Sequence, residues 1–130
     1  NNFRGPAGGL FISPRELSIF MRVLMNKGKP ILKEETIALM LSKQWEGEPK
    51  YESYYRAKGL QVLLLDRYDN KVLKGHFGDA YGVRSFMLFN EDKQIGIIYM
   101  TNGGDYQRRS IGIDNVQDEL IKAFLNKYWD

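Results

Sequence analysis

Residues 83–101 read VRSFMLFNEDKQIGIIYMT. Two apolar runs, Phe86–Phe89 and Ile95–Met100, flank the polar turn Asn90–Lys93. Because this link is far shorter than a parallel return requires, the two runs predict antiparallel neighbouring strands. Apolar runs that do not alternate with polar residues are typical of strands buried on both faces. We therefore expect a sheet that is covered by helices on each side.

Turn chemistry earlier in the chain predicts two further strands. Asp66–Asn70 is rich in turn-forming residues, and Asp79–Gly82 makes a second short connection. We interpret residues 43–58 as a structured loop, in which packing is the expected role of the aromatic residues Trp45, Tyr51, Tyr54 and Tyr55. The four predicted strands are Gly59–Leu65, Lys71–Gly78, Val83–Phe89 and Gln94–Thr101.

Helix-start signals identify the covering helices. Ser13-Pro14-Arg15-Glu16 combines a cap, a proline suited to the first helical position and a capping box, and Gly28 can end this helix. A second helix is predicted from Lys33 to about Ser42. Asp114, with Gln117 three residues on, makes a capping box for the last helix. The expected fold class is α+β, an antiparallel sheet of about four strands with helices on both faces. The expected buried positions are Leu17, Phe20, Met21, Leu24 and Met25, then Ile37, Met40 and Leu41, and finally Val116, Leu120, Phe124 and Tyr128.

The composition and charge of the chain exclude several classes of function. The 130 residues suit a single unit, 1–130, and their net charge of +3 is scattered, with Arg108-Arg109 the densest basic spot. We therefore expect no nucleic-acid partner. The absence of cysteine excludes disulfides and a cysteine nucleophile, and one histidine cannot make a metal site alone. No apolar run approaches the roughly 18 residues that span a bilayer.

Four strings resemble, in order, the penicillin-recognising serine hydrolases, the group of class C β-lactamases, D,D-peptidases and esterases. Ala7–Leu17 resembles the family's Ala-Gly-Gly-Leu loop and the helix after it. Gly75–Gly82, GHFGDAYG, resembles the third motif, usually Lys-Thr-Gly or His-Thr-Gly, and its turn. Ser85–Phe89 and Gly96–Asn102 resemble the hairpin that ends in a Thr-Asn pair. The resemblance covers essentially the whole chain and implies the C-terminal half of the β-lactamase/transpeptidase-like fold.

The resemblance implies acyl transfer by a serine nucleophile in a Ser-x-x-Lys motif, with a Tyr-x-Asn motif nearby. No serine of this chain has a lysine three positions later. Tyr68-Asp69-Asn70 spells Tyr-x-Asn, but it lies in a predicted hairpin turn just before the third motif, and we interpret it as a coincidence. The opening residues show neither an initiator methionine nor a signal peptide. We expect the C-terminal fragment of a larger serine hydrolase domain.

On the resemblance, the third-motif strand supplies one wall of the active site. His76 would offer a polar or positive group to the substrate, and Gly78 would let the substrate lie close to the strand. The backbone N–H of Asp79 would be the second donor of the oxyanion hole. The expected substrate contacts are Phe77, Ala80 and Tyr81.

Phe77 departs from the family's usual threonine or serine, so the hydroxyl that would bind a β-lactam carboxylate is absent. This favours a peptidase, an esterase or a non-catalytic relative. These residues also have purely structural interpretations. His76 can be a strand-surface residue, Gly75 and Gly78 can be bulge or strand-end glycines, and Asp79 can be a turn former.

Two function hypotheses follow. The chain is either a segment of a serine hydrolase, inactive alone, that acts on a peptide, ester or β-lactam-like substrate, or a non-catalytic binding or oligomerisation module. We expect no cofactor and no metal ion. The expected partner is the missing N-terminal part of the domain or a second copy, paired along the apolar edge at Gln94–Thr101. The family's members are mostly exported, which implies a periplasmic or extracytoplasmic location.

Overall fold

The computed structural model describes residues 9–47, 57–60, 62–104 and 113–130. Within these ranges the chain forms three helices and one six-stranded sheet. The helices are α1 (Pro14–Met25), α2 (Glu34–Leu41) and α3 (Asn115–Tyr128). The strands are β1 (Trp45–Glu46), β2 (Ala57–Lys58), β3 (Leu63–Tyr68), β4 (Lys71–Ala80), β5 (Val83–Asn90) and β6 (Ile95–Asn102).

The sheet is antiparallel throughout, and its strands lie in sequence order from β1 to β6. The α+β class and the antiparallel pairing are confirmed, but the prediction of about four strands is wrong. The two extra strands, β1 and β2, are two residues long each. A strand of that length is too short to leave an alternating pattern in the sequence.

The two hairpin turns before β5 are tighter than predicted. Asp69 and Asn70 alone connect β3 to β4, with φ values of 51° and 62°. Tyr81 and Gly82 alone connect β4 to β5, with φ values of 54° and 79°. Positive φ at both central residues is the geometry of a two-residue turn whose twist matches that of the flanking strands. The strands therefore extend into both predicted turns.

Both predicted capping boxes are confirmed. The amide of Glu16 donates to Ser13 Oγ at 3.2 Å, while the Ser13 amide donates to Glu16 Oε2 at 3.0 Å. At α3, the Gln117 amide donates to Asp114 Oδ1 at 2.7 Å, and the Asp114 amide donates to Gln117 Oε1 at 3.3 Å. These bonds satisfy amides that the first turn of a helix leaves without partners.

Helices cover both faces of the sheet, as predicted. Leu88 and Phe89 are adjacent on β5, and each is 0% exposed. Successive strand residues point to opposite faces, so these two side chains enter different cores. One core joins α3 to the sheet through Leu65, Leu73, Phe86, Leu88, Ile113, Ile121, Phe124 and Leu125. The other joins α1 and α2 to it through Met21, Leu24, Met25, Ile37, Leu41, Val62 and Phe89.

The orientation predicted for α3 is wrong in part. Its buried residues are Gln117, Asp118, Ile121, Phe124 and Leu125. Of the predicted stripe, Val116 is 38% exposed and Tyr128 is 50% exposed. The helix carries apolar residues on two adjacent sides, and periodicity alone does not show which side meets the sheet. Phe20 of α1, also predicted to be buried, is exposed as well.

None of the helices in the described ranges is long and apolar enough to cross a membrane.

Candidate active-site wall

β4 carries the string that resembles the third motif, and beside part of one of its edges the described residues place no strand. The β3–β4 pairing reaches Leu63↔Gly75, whereas β4 continues to Ala80 and pairs with β5 along that whole length. From His76 to Ala80, no strand within the described ranges lies along the other side of β4. An open strand edge presents backbone N–H and C=O groups and can receive an extended ligand.

Gly75 lies where the β3–β4 pairing stops. A Cβ atom added to it would lie 1.8 Å from the carbonyl oxygen of Met87, and its φ is +156°. No side chain fits that approach of β5 to β4. The close packing of β4 and β5 therefore gives a structural reason for glycine at position 75.

His76 and Gly78 share one face of the sheet. His76 lies directly opposite Met87, which packs against the core formed by α1 and α2. Gly78, two residues further, lies opposite Ser85, and a Cβ on it would lie 2.4 Å from Ser85 Oγ. Gly78 thus leaves room for the Ser85 hydroxyl, a polar neighbour that sequence reasoning did not assign to the site.

Phe77 points to the opposite face. Its ring centroid lies 5.6 Å from that of Phe86, and it packs against the core beneath α3. Alternation along β4 also directs the Asp79 side chain away from the His76 face. The Asp79 carboxylate forms an ion pair with Arg84, its cross-strand partner on β5. The site strand is therefore fixed from behind by an aromatic contact and an ion pair.

Ala80 and Tyr81 lie at the tip of the β4–β5 hairpin. Ala80 is the last residue of β4, and Tyr81, the first turn residue, is 95% exposed. The structure therefore brings His76, Gly78 and the backbone of Asp79 onto one strand segment. It places Ala80 and Tyr81 at the end of that segment and the Phe77 side chain behind it.

The electrostatics of His76 favour the neutral imidazole. Partial burial of the ring and the nearby positive charge of Lys58 on β2 lower the pKa of His76 below its ordinary value of about 6.5. At neutral pH the ring therefore offers one N–H donor and one acceptor instead of a full positive charge. Lys58 gave no signal in the sequence, because β2 reaches this region only through the pairing of strands.

Tyr68-Asp69-Asn70 is located away from this wall. Tyr68 ends β3, and its hydroxyl donates to Asp118 of α3 at 2.8 Å, while Asp69 and Asn70 form the β3–β4 turn. Among the other aromatic residues of the predicted loop, Trp45 is exposed on β1. Tyr51, Tyr54, Tyr55 and the pair Arg108-Arg109 lie outside the described residues, as do Ala7 and Gly8 of the first string.

A family model described as Beta-lactamase matches residues 1–120 of this chain. The chain belongs to the beta-lactamase family. Membership confirms the resemblance drawn from the four strings and supports a serine β-lactamase-like hydrolase domain. No curated protein and no solved structure matches the chain. The string that resembles the family's third motif, Gly75–Gly82, spans the end of β4 and the turn that follows.

Proposed function

We propose that this chain supplies the third-motif wall of a serine hydrolase active site, while the nucleophile and its lysine come from outside the chain. The observation that carries the proposal is made in a beta-lactamase family member: from His76 to Ala80, no strand of the described residues lies along the second edge of β4. The sequence supports the second half of the proposal, because none of its serines belongs to a Ser-x-x-Lys motif.

The proposed chemistry is hydrolysis of an amide or ester through an acyl-enzyme. A serine oxygen attacks the substrate carbonyl carbon, an adjacent base takes the serine proton, and negative charge develops on the carbonyl oxygen. The carbonyl re-forms as the bond to the amine or alcohol breaks, and that group leaves with the proton from the base. Water then attacks the acyl-enzyme, which releases the acid and restores the serine. The Asp79 amide donates one of the two hydrogen bonds to that oxygen, and an amide at the nucleophile donates the other. Removing one such donor typically costs about 3–4 kcal/mol of transition-state stabilisation.

His76 and Gly78 shape the substrate side of this wall. A neutral imidazole at His76 hydrogen-bonds the carboxylate or carbonyl side of the substrate, and Gly78 keeps the strand flat beside it. Ala80 and Tyr81 contact the substrate from the hairpin tip. Because Phe77 carries no hydroxyl and packs behind the strand, we favour a peptide or ester substrate over a β-lactam. We also place the protein outside the cytoplasm, as the family resemblance implies.

The decisive experiment is reconstitution. The 130-residue chain is mixed with a separately produced segment of a family member that bears Ser-x-x-Lys, and hydrolysis of a p-nitrophenyl ester, a D-Ala-D-Ala peptide and a chromogenic cephalosporin is followed. We expect no turnover by the chain alone and turnover by the mixture. Asp79→Pro removes the backbone donor and should abolish that turnover, whereas the control Asp79→Ala keeps the amide and should retain most of it. Turnover by the pure chain that a serine reagent blocks would contradict the proposal.

A non-catalytic binding module is the second candidate, favoured by the missing Ser-x-x-Lys and by Phe77. It predicts that the mixture stays inactive, while an extended peptide still perturbs the amide resonances of His76–Ala80 in the chain alone. Turnover by the mixture decides against this candidate.

A further inference from the structure

The chain contains a single Asn-Gly pair, Asn102-Gly103. Each of the other asparagines is followed by a residue with a side chain. The backbone nitrogen of the residue after an asparagine can attack the side-chain carbonyl carbon of that asparagine and close a succinimide ring. A side chain on the following residue hinders this attack, whereas glycine leaves the nitrogen accessible and the backbone free to turn. The local sequence therefore favours this reaction at Asn102 over every other asparagine.

The structure leaves both residues of the pair accessible. Asn102 is the last residue of β6, and both Asn102 and Gly103 are exposed. The Asn102 side chain borders a hollow of about 260 Å³, together with Val83 and the two residues before it. Gly103 has a φ of +66°, and a Cβ atom added there would meet no atom within 4 Å. The carboxamide of Asn102 therefore has room to turn, and open space lies beside the glycine.

Backbone contacts at the end of the sheet hold the pair in its extended position. Val83↔Asn102 is the last pair of the β5–β6 ladder. The Gly103 amide donates to the carbonyl oxygen of Gly82 at 3.3 Å, which is long for a bond of this kind. The ends of a ladder open locally at a small cost in free energy compared with unfolding of the whole protein. Local opening therefore frees the Gly103 nitrogen while both cores stay packed.

We propose that Asn102 is a site of spontaneous deamidation, which proceeds when the end of β6 opens. Hydroxide takes the proton of the Gly103 amide, and the nitrogen forms a bond to Cγ of Asn102. The bond between Cγ and the side-chain nitrogen breaks, and that nitrogen takes a proton from water and leaves as ammonia. Water then hydrolyses one of the two carbonyl–nitrogen bonds of the ring, which gives either aspartate or isoaspartate at position 102. The inference does not rest on the proposed function.

The product places a negative charge on one particular face of the sheet. Asn102 lies directly opposite Val83, so the two side chains share a face. Ser85, two residues further along β5, is on that same face and lies opposite Gly78. Deamidation therefore adds a carboxylate to the face of the sheet that carries Gly78 and His76.

The isoaspartate product also changes the backbone. It adds one carbon atom to the main chain between positions 102 and 103, which displaces the Gly103 amide from the Gly82 carbonyl. That hydrogen bond joins the end of β6 to the β4–β5 turn. We therefore expect the isoaspartate form to have a looser β4–β5 hairpin tip.

Incubation of the 130-residue chain at mildly alkaline pH tests the proposal. Trypsin cuts after Lys93 and Arg108, and the peptide that it releases, residues 94–108, contains Asn102 as its single asparagine. Mass spectrometry of this peptide at successive times should show two new forms, aspartate and isoaspartate, in which a hydroxyl group replaces the amide nitrogen. The other asparagines of the chain should convert several-fold more slowly. An Asn102 that converts no faster than they do would overturn the proposal.

Gly103→Ala should slow the conversion several-fold, because its methyl group hinders the attacking nitrogen. Gly104→Ala is the matched control, since it leaves the Asn-Gly pair intact, and it should convert at the original rate. Circular dichroism checks that both variants fold. The same substitutions in the free peptide of residues 94–108 give the comparison without a fold, so the test holds even if Gly103→Ala unfolds the chain. Equal rates with and without Gly103→Ala would overturn the attack by the Gly103 nitrogen.

Amide hydrogen exchange followed by NMR tests the consequence for the hairpin. Asn102→Asp carries the charge of the product on an ordinary backbone, and its Gly103 amide should stay as protected as in the original chain. The isoaspartate form, separated from the incubated chain by chromatography, should exchange this amide several-fold faster. Equal protection in the two forms would overturn the expected loss of the bond to Gly82.

Discussion

The hydroxyl of Tyr68 donates a hydrogen bond of 2.8 Å to Oδ1 of Asp118, which lies 50 residues further along the chain. The bond joins the end of β3 to α3. The Asp118 side chain is only 3% exposed, and Lys122 Nζ binds its other oxygen at 2.7 Å. A buried carboxylate is tolerated when such donors surround it. This link fixes α3 against one face of the sheet and so holds the layer behind the third-motif strand.

Tyr68→Phe should lower the free energy of unfolding by about 1–2 kcal/mol, because Asp118 loses a hydrogen-bond donor inside the core. Urea denaturation followed by circular dichroism measures the change. Tyr128→Phe is the control, since Tyr128 is half exposed, and its loss should stay within about 0.5 kcal/mol. Equal losses in the two variants would mean that the Tyr68 bond adds nothing to stability.

Gly75→Ala should destabilise the protein by about 3 kcal/mol or more, because the new methyl group would collide with the Met87 carbonyl and force β4 and β5 apart. Gly82→Ala is the comparison. Gly82 also has a positive φ, +79°, but an added Cβ there would meet no atom within 4 Å. Its cost should be about 1 kcal/mol, the conformational term alone. Thermal unfolding of both variants separates a steric cause from a conformational one, and equal costs would contradict the steric account.

The imidazole of His76 should titrate with a midpoint below 6.5, and its protonation should weaken the fold. The folded state holds the pKa below the unfolded value, so it favours the neutral ring. The contribution to stability is therefore complete above pH 6.5 and declines as the pH falls from there through the lower folded pKa. His76 is the single histidine of the chain, so its NMR resonance needs no assignment by mutation.

Lys58→Met should raise the His76 midpoint, because it removes the positive charge that opposes protonation. Lys43→Met is a suitable control, since Lys43 is paired with Glu46 at 2.6 Å, and it should leave the midpoint unchanged. An identical midpoint in the Lys58→Met variant would show that ring burial alone lowers the pKa.

The two capping residues, Ser13 and Asp114, should contribute different amounts to the free energy of unfolding. Ser13→Ala removes an exposed cap and should cost about 1 kcal/mol. Asp114→Ala removes a cap that is 2% exposed and should cost about 2 kcal/mol, because the amide of Gln117 would lose its partner inside the protein. Urea denaturation compares the two variants, and a larger loss for Ser13→Ala would show that burial does not strengthen the Asp114 cap.

Local signals in the sequence determined most of the elements. The capping boxes at Ser13 and Asp114, the two apolar strands of residues 83–101 and the antiparallel hairpins all depend on residues that are close in sequence. The string that resembles the third motif likewise lies within eight consecutive residues, Gly75–Gly82. Features that depend only on residues close in sequence can be predicted without knowing what the chain packs against.

Only the tertiary structure determined which residues on different elements face each other. It placed Ser85 over Gly78, turned Phe77 into the core behind the strand and brought Lys58 close to His76. It also rotated α3, so that part of its predicted apolar stripe borders a cleft between α3 and β6. Each of these relationships joins residues on different elements, and its outcome depends on strand register and on the competition between faces for burial. No local pattern contains that information, because the free energy that decides it arises when the layers pack.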